Sequence, residues 1–231
     1  MRSPLRTPMV ASLVRDASLV WVAGGIVGIS FGAIAVAGGL PVWVPVAMSL
    51  LVYAGSAQFS ALGVLFAGGG PLAAAATGVL LNTRLAAFGV AVADVVGRGR
   101  LARLAGAHLI TDETVAFALA QPDWERRRTA FWVSGIGLFT VWNVSVLAGA
   151  LAGSALGDTA AYGLDTAFPA VLAALVVPAL RDDPRLRRCA LPGACVALAV
   201  TPVVPAGLPV LLALAGLALY GGGAREKAVA G

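Results

Sequence analysis

Arg84 is the one formally charged residue in positions 17–93, set in the stretch Leu80-Leu81-Asn82-Thr83-Arg84-Leu85. A guanidinium in such apolar company is held by an acid, by a polar cavity or by a bound anion, and its planar fork of N–H groups suits a carboxylate. Asn82 lies two residues away. Arg84 and Asn82 are therefore candidates for binding an anion, for instance a substrate carboxylate, or for a gate. The bland alternative is a structural ion pair with Asp112, Glu113 or Asp165. Gln58 lies in Tyr53-Ala54-Gly55-Ser56-Ala57-Gln58-Phe59. Small residues beside an amide in an apolar run suggest a helix that opens there. The N-terminus of its second half would then offer free amides to a carboxylate. Hydrogen-bond glue between helices is the competing reading of Ser56 and Gln58.

Thr111-Asp112-Glu113-Thr114 reads as a helix start, with threonine as the cap and acids in the first turn. Asp112 and Glu113 are also the acids available to compensate Arg84 or to couple protons. His108, the only histidine, precedes Asp112 by four residues, a spacing that puts both on one face of a continuous helix. Asp165 follows Gly163 at the start of an apolar run, as an outer helix cap or a cavity entrance. Asn143 falls inside an uncharged run and is expected to bond across helices. One histidine and two acids make no metal site. Cys189 and Cys195 are read as small packing residues, and no metal or other cofactor is expected. There is no phosphate-binding loop, nucleophile elbow or paired-cysteine motif, so an enzyme is not expected.

The elements that must position these residues are membrane-sized. Of 231 residues, 59% are hydrophobic and 12% charged, against about 25% charged in soluble domains. Uncharged runs cover 129–157 and 189–224, and 159–180 holds only Asp165. At about 20 residues per crossing these runs accommodate six or seven passes. The expectation is an all-α polytopic membrane helix bundle with broken or re-entrant helices. It would be a single transmembrane domain over 1–231 with short cytoplasmic termini. The net charge of +5 sits in short loops between apolar runs, which speaks for a bilayer and against nucleic acid.

Segment one, about 18–39, holds the small pair Gly28 and Gly32, which permits close helix contact. Segment two covers about 42–67. Segment three, 72–96, is interrupted at Asn82-Thr83-Arg84. Residues 104–121 fit a polar-lined span, a re-entrant hairpin or an interfacial helix. A span over 129–152, another over 160–180 and a proline-divided hairpin over 190–220 complete the chain. Trp43 and Trp124 fall near expected interfaces. Arginines at 2, 6 and 15, at 98–103, at 126–128 and at 181–188 all belong on the cytoplasmic side. Three segments separate the first two groups, which is the wrong parity. Either one segment enters and returns, with segment three the first candidate and segment one the second, or the 98–103 loop breaks the rule.

In this order the stretches SFGAIAVAGG from Ser30, SLLVYAGSAQFSALGVL from Ser49, LLNTRL from Leu80, LITDETVAFAL from Leu109, WNVSVLAGALAG from Trp142 and YGLDTAFPAVLAALVVPALR from Tyr162 resemble the AzlC family. These are the large subunits of bacterial branched-chain amino-acid exporters. The resemblance spans about 14–180. It draws attention to Phe31, Gly32, Gly55, Gln58, Phe59, Asn82, Arg84, Asp112, Glu113, Asn143 and Asp165. It departs at Leu85, where many members carry histidine, so this chain lacks that titratable group. The resemblance implies gradient-driven efflux of valine, leucine or isoleucine across the cytoplasmic membrane, with a small AzlD-type membrane subunit as partner. The zwitterion would then sit near midplane. Its carboxylate would lie on Arg84 or on amides near Gln58, its ammonium on carbonyls or an acid, and its side chain against residues such as Phe31, Phe59 or Phe88. The alternatives are a small-solute or ion channel, which would conduct without coupling, and a non-transporting scaffold subunit. An intramembrane enzyme has no nucleophile or metal cluster to rest on.

Overall fold

The computed structural model describes residues 6–155 and 180–204, together with 173, 176–177, 209 and 212–217. Every described regular element is helical. The chain divides into two compact units, Met1–Gln58 with Leu81–Tyr162, and Phe59–Leu80 with Gly163–Gly231.

The first unit is built on two long helices, α1 (Arg6–Ala37) and α9 (Trp124–Ala155), each of 32 residues. Glycines let their backbones touch. A Cβ built on Gly32 would strike the Val146 carbonyl, one on Gly149 the Ile29 carbonyl, and one on Gly153 the Ala33 carbonyl at 2.9 Å. The expected close approach at Gly28 and Gly32 is therefore real, and Gly149 and Gly153 of α9 make the same kind of approach to Ile29 and Ala33. Trp21 donates its indole N–H to the Ser134 carbonyl (3.2 Å), Gly28 meets Ser145, and Gly32 meets Val146 and Ala150. Numbers rise together along both helices, so α1 and α9 run parallel.

In chain order between them come short pieces: α2 (Trp43–Leu51), α3 (Gly55–Phe66), α4 (Pro71–Asn82), α5 (Arg84–Ala91), α6 (Ala93–Val96), α7 (Arg100–His108) and α8 (Asp112–Leu119), of which Phe59–Leu80 belongs to the second unit. Segment two is broken where the opening was expected. Tyr53 takes φ 37°, a left-handed conformation that a non-glycine residue adopts at some cost. Segment three is hardly interrupted. Thr83 has helical angles (φ −56°, ψ −29°), and Pro71–Ala91 counts as one helix long and apolar enough to cross a membrane, as do Met9–Ala37 and Trp124–Ala155.

The side on which the 98–103 loop lies is set by contacts with α9. Arg127 pairs with Asp94 (3.4 Å), Trp124 donates to the Asp94 carbonyl (3.3 Å) and Arg128 to the Val95 carbonyl (3.3 Å). Gly97 turns the chain with φ 114°. The 94–103 stretch thus starts from the same end of the unit as the starts of α1 and α9, and all three arginine groups share it, as the charge rule requires. From there α7 rises until Leu109 packs on Gly135, and α8 returns along α9 to the short 120–123 connection. Residues 100–119 therefore form a re-entrant hairpin, which lies after the 98–103 loop and leaves the crossing count before that loop unchanged. Segment three is not the re-entrant element, because nothing at Thr83 turns the chain back.

In the second unit, α10 (Pro184–Val200) starts with Asp183 as its cap, accepting from the Arg185 N–H (2.8 Å), and carries Pro192 inside. It ends before Pro202. A 3₁₀ turn, Ala213–Leu217, packs back on it, with Gly193 against the Ala213 carbonyl and Gly216 against the Cys189 carbonyl. This is the proline-divided hairpin. Cys189 is buried, Cys195 exposed, and both are free thiols. The expected span over 160–180 lies largely outside the described residues, and Asp165 lies wholly outside them.

Candidate functional site

Two chain breaks meet beside the middle of α9. The first lies between α2 and α3, at Val52–Ala54. The second is the tip of the α7–α8 hairpin, at Leu109–Thr111. Tyr53 at the first break touches Phe139 edge-on (ring centroids 4.9 Å) and His108 (5.8 Å), and His108 lies 5.5 Å from Phe139. Phe139 is close to the midpoint of Trp124–Ala155, so the site sits near the centre of the long helices.

Arg84 ties the breaks together. Its Nη2 donates to Ser56 Oγ (2.9 Å) in the first turn of α3. Its Nη1 lies 2.9 Å from Asp112 Oδ2 in the first turn of α8. Asp112, rather than Glu113, is the acid that holds Arg84. Glu113 lies on another side of α8, in a small cavity with Ala17, Val20 and Trp21 of α1. The start of α8 is fixed by a reciprocal threonine cap: the Thr111 hydroxyl accepts from the Thr114 N–H (3.2 Å), and the Thr114 hydroxyl from the Thr111 N–H (2.9 Å). This is the helix start read from Thr111-Asp112-Glu113-Thr114. It also breaks the helix between His108 and Asp112, so these two do not share a helical face. His108 ends α7, packed among aromatic rings.

The pair is half open: 47% of the Arg84 side chain and 45% of the Asp112 side chain are exposed. At mid-membrane depth such a surface faces water or other protein, because ions there are too costly against lipid. On the elements that carry the pair and the breaks, several polar atoms are buried without a partner. Gln58 is fully buried, and neither its Oε1 nor its Nε2 has a partner; Asn82 Oδ1, Asp112 Oδ1 and the Tyr53 hydroxyl are likewise buried without one. An unmatched buried amide costs about 1–3 kcal/mol. The first N–H groups of α3 and α8 also have no partner inside their own helices.

Asn143 and Phe59 are placed differently. Asn143 is already engaged. Its Oδ1 accepts from the Ser49 hydroxyl of α2 (2.7 Å) and its Nδ2 donates to the Phe139 carbonyl (2.9 Å). It is the interhelical bond expected of a mid-span amide, and it holds α2 to α9 above the break. Phe59 is buried in α3, Phe31 is buried against Trp142 (6.3 Å), and Phe88 is half-buried in α5. Sequence reasoning did not find the bond between Arg84 and Ser56 or the Tyr53–His108–Phe139 cluster. Nothing in spacing joins residues 28 apart.

The arrangement presents one cation, one acid with an idle oxygen, one amide offering a donor and an acceptor, and two helix starts. Such a set complements a small zwitterion. Among the described residues no group of histidine, cysteine and acids forms a metal cluster. A family model described as "AzlC protein" matches residues 20–156, a range that contains every described residue of the site. No curated protein and no solved structure matches the chain.

Proposed function

The chain belongs to the AzlC family and is a multi-pass membrane protein, and on that premise we propose that it exports branched-chain amino acids across the bacterial cytoplasmic membrane. The observation that carries this reading is the Arg84–Asp112 pair, which joins two helix breaks near the middle of the long helices, with the unmatched amide of Gln58 two residues along α3 from Ser56. Discontinuous helices that meet near midplane are the usual ground plan of a secondary transporter's site.

Without substrate, Arg84 rests on Asp112 and Ser56. An amino-acid zwitterion exchanges with that pair. Its carboxylate takes Arg84 and the free amides of the helix starts, and its ammonium takes Asp112, whose Oδ1 is idle. Asn82 and Gln58 complete the polar shell. The exchange swaps one ion pair for two and leaves the net charge of the site unchanged, so it avoids the cost of an unpaired ion in a poorly solvated place. The branched side chain is left for apolar surface, with Phe59 and Phe88 the nearest aromatic candidates in sequence to Gln58 and Arg84. Rocking of one bundle against another then alternates access, driven by an ion gradient. A small AzlD-type subunit covers part of the open face of the pair.

Counterflow of labelled leucine in proteoliposomes, with and without the small subunit, tests the proposal. Wild-type chain should accumulate label against unlabelled leucine. 3-Methylbutylamine, which is leucine without its carboxylate, should not drive counterflow. Arg84→Ala should reduce the rate by at least about tenfold, the loss of a charged hydrogen-bonded pair. Full-rate counterflow by Arg84→Ala protein would refute the assignment.

A further inference from the structure

A second polar feature lies at the inner ends of α1 and α9, well away from Arg84. A cavity of about 630 Å3 is bounded by Met9 and Val10 of α1 and by Trp124, Arg128, Thr129 and Trp132 of α9. Its depth follows from length. A 32-residue helix spans about 48 Å, roughly 18 Å more than the hydrocarbon core. With Phe139 near the centre, residues 124–129 stand at headgroup level and Trp132 just beneath it. The lining changes in the same order, from charged and hydroxyl-bearing to apolar.

The donors in this cavity want an acceptor. The Trp132 indole N–H is buried and has no partner, and an indole nitrogen can only donate. The Arg128 guanidinium is held in place by the Val95 carbonyl (3.3 Å) and lies 5.7 Å over the Trp124 ring. One fork nitrogen is used there, and a guanidinium has further N–H groups to give. A fixed guanidinium and an unmatched indole N–H beside apolar surface at the headgroup boundary fit a phosphodiester with a hydrocarbon tail. We propose that this cavity binds one inner-leaflet phospholipid, with its phosphate on Arg128 and Trp132 and its glycerol end against the apolar floor. Glu125 also lines the cavity. The lipid holds the inner ends of α1 and α9 at a defined spacing.

The test uses the delipidated full chain in detergent, with phosphatidylethanolamine, phosphatidylglycerol or inorganic phosphate added back. Native mass spectrometry should retain one phospholipid per chain, and the lipid should raise the thermal midpoint while phosphate alone should not. Trp132→Phe removes only the N–H and should weaken retention severalfold while leaving the lipid-free midpoint unchanged. Arg128→Gln should weaken it about tenfold or more, as expected for a bond to a charged group. Undiminished retention in both variants, no retained lipid, or an equal rise with inorganic phosphate would overturn the proposal.

Discussion

Gly149→Ala probes the contact on which the first unit is built. The added Cβ would fall on the Ile29 carbonyl oxygen and within 2.8 Å of that residue's carbonyl carbon and Cα. These are backbone atoms of a helix, so no rotamer change relieves the clash. Normal carbon contact lies at about 3.5–4.0 Å, so the helices must separate by about 1 Å. A gap of that size forfeits a quarter to a half of the dispersion energy of each contact along the seam, and neighbouring Gly32, Gly28 and Gly153 lose their fit together. Overpacking of this kind costs about 1–3 kcal/mol, and backbone against backbone belongs at the upper end. At roughly 2–4 °C per kcal/mol, the thermal midpoint should fall by about 6–12 °C. Fluorescence-detected size-exclusion after heating gives the midpoint. Gly70→Ala, where a Cβ meets nothing within 4 Å, is the control and should fall by no more than a degree or two. Equal midpoints for the two variants would refute the close parallel crossing.

Ser49→Ala and Asn143→Ala should show a coupling energy of about 0.6 kcal/mol, and no more than about 1.7, in a double-mutant cycle by unfolding in mixed micelles. Thr111→Val removes the α8 cap and should cost about 1 kcal/mol, with faster hydrogen exchange confined to α8. Gln58→Leu exchanges an unmatched buried amide for an apolar side chain of similar size; it should leave the midpoint unchanged or raise it while abolishing counterflow. Arg100→Cys and Glu125→Cys, in a chain freed of Cys189 and Cys195, should both be labelled by an impermeant maleimide from the cytoplasmic side. Labelling of the two from opposite sides would contradict the re-entrant hairpin.

Much of this was legible in the residues themselves, for physical reasons. A lone arginine among leucines announces itself because hydrocarbon tolerates no idle charge. The Thr111 cap is a local signal, since cap and acceptor are three residues apart. Tyr53–Gln58 betrays a break because small and polar residues interrupt an apolar run. The arginines of 98–103 pointed to the cytoplasmic side, while the count of segments before them left a breach of the charge rule as the alternative. Which segment turns back was not legible. Asn82-Thr83-Arg84 looks like an interruption by composition, yet Thr83 stays helical. The true hairpin tip at Leu109–Thr111 is made by long-range packing on Gly135 and Phe139. The parallel pairing of α1 with α9 depends on glycines more than 100 residues apart, and the Arg84–Ser56 bond on an encounter no period encodes.

The central claim is that the two helix breaks and the Arg84–Asp112 pair together hold an amino-acid zwitterion. Equilibrium binding of labelled leucine to purified protein, wild type against Arg84→Gln and Asp112→Asn, addresses it without transport. Each substitution should weaken binding at least about tenfold, with 3-methylbutylamine failing to compete with leucine on the wild type. Leucine affinity unchanged in both variants would contradict the account.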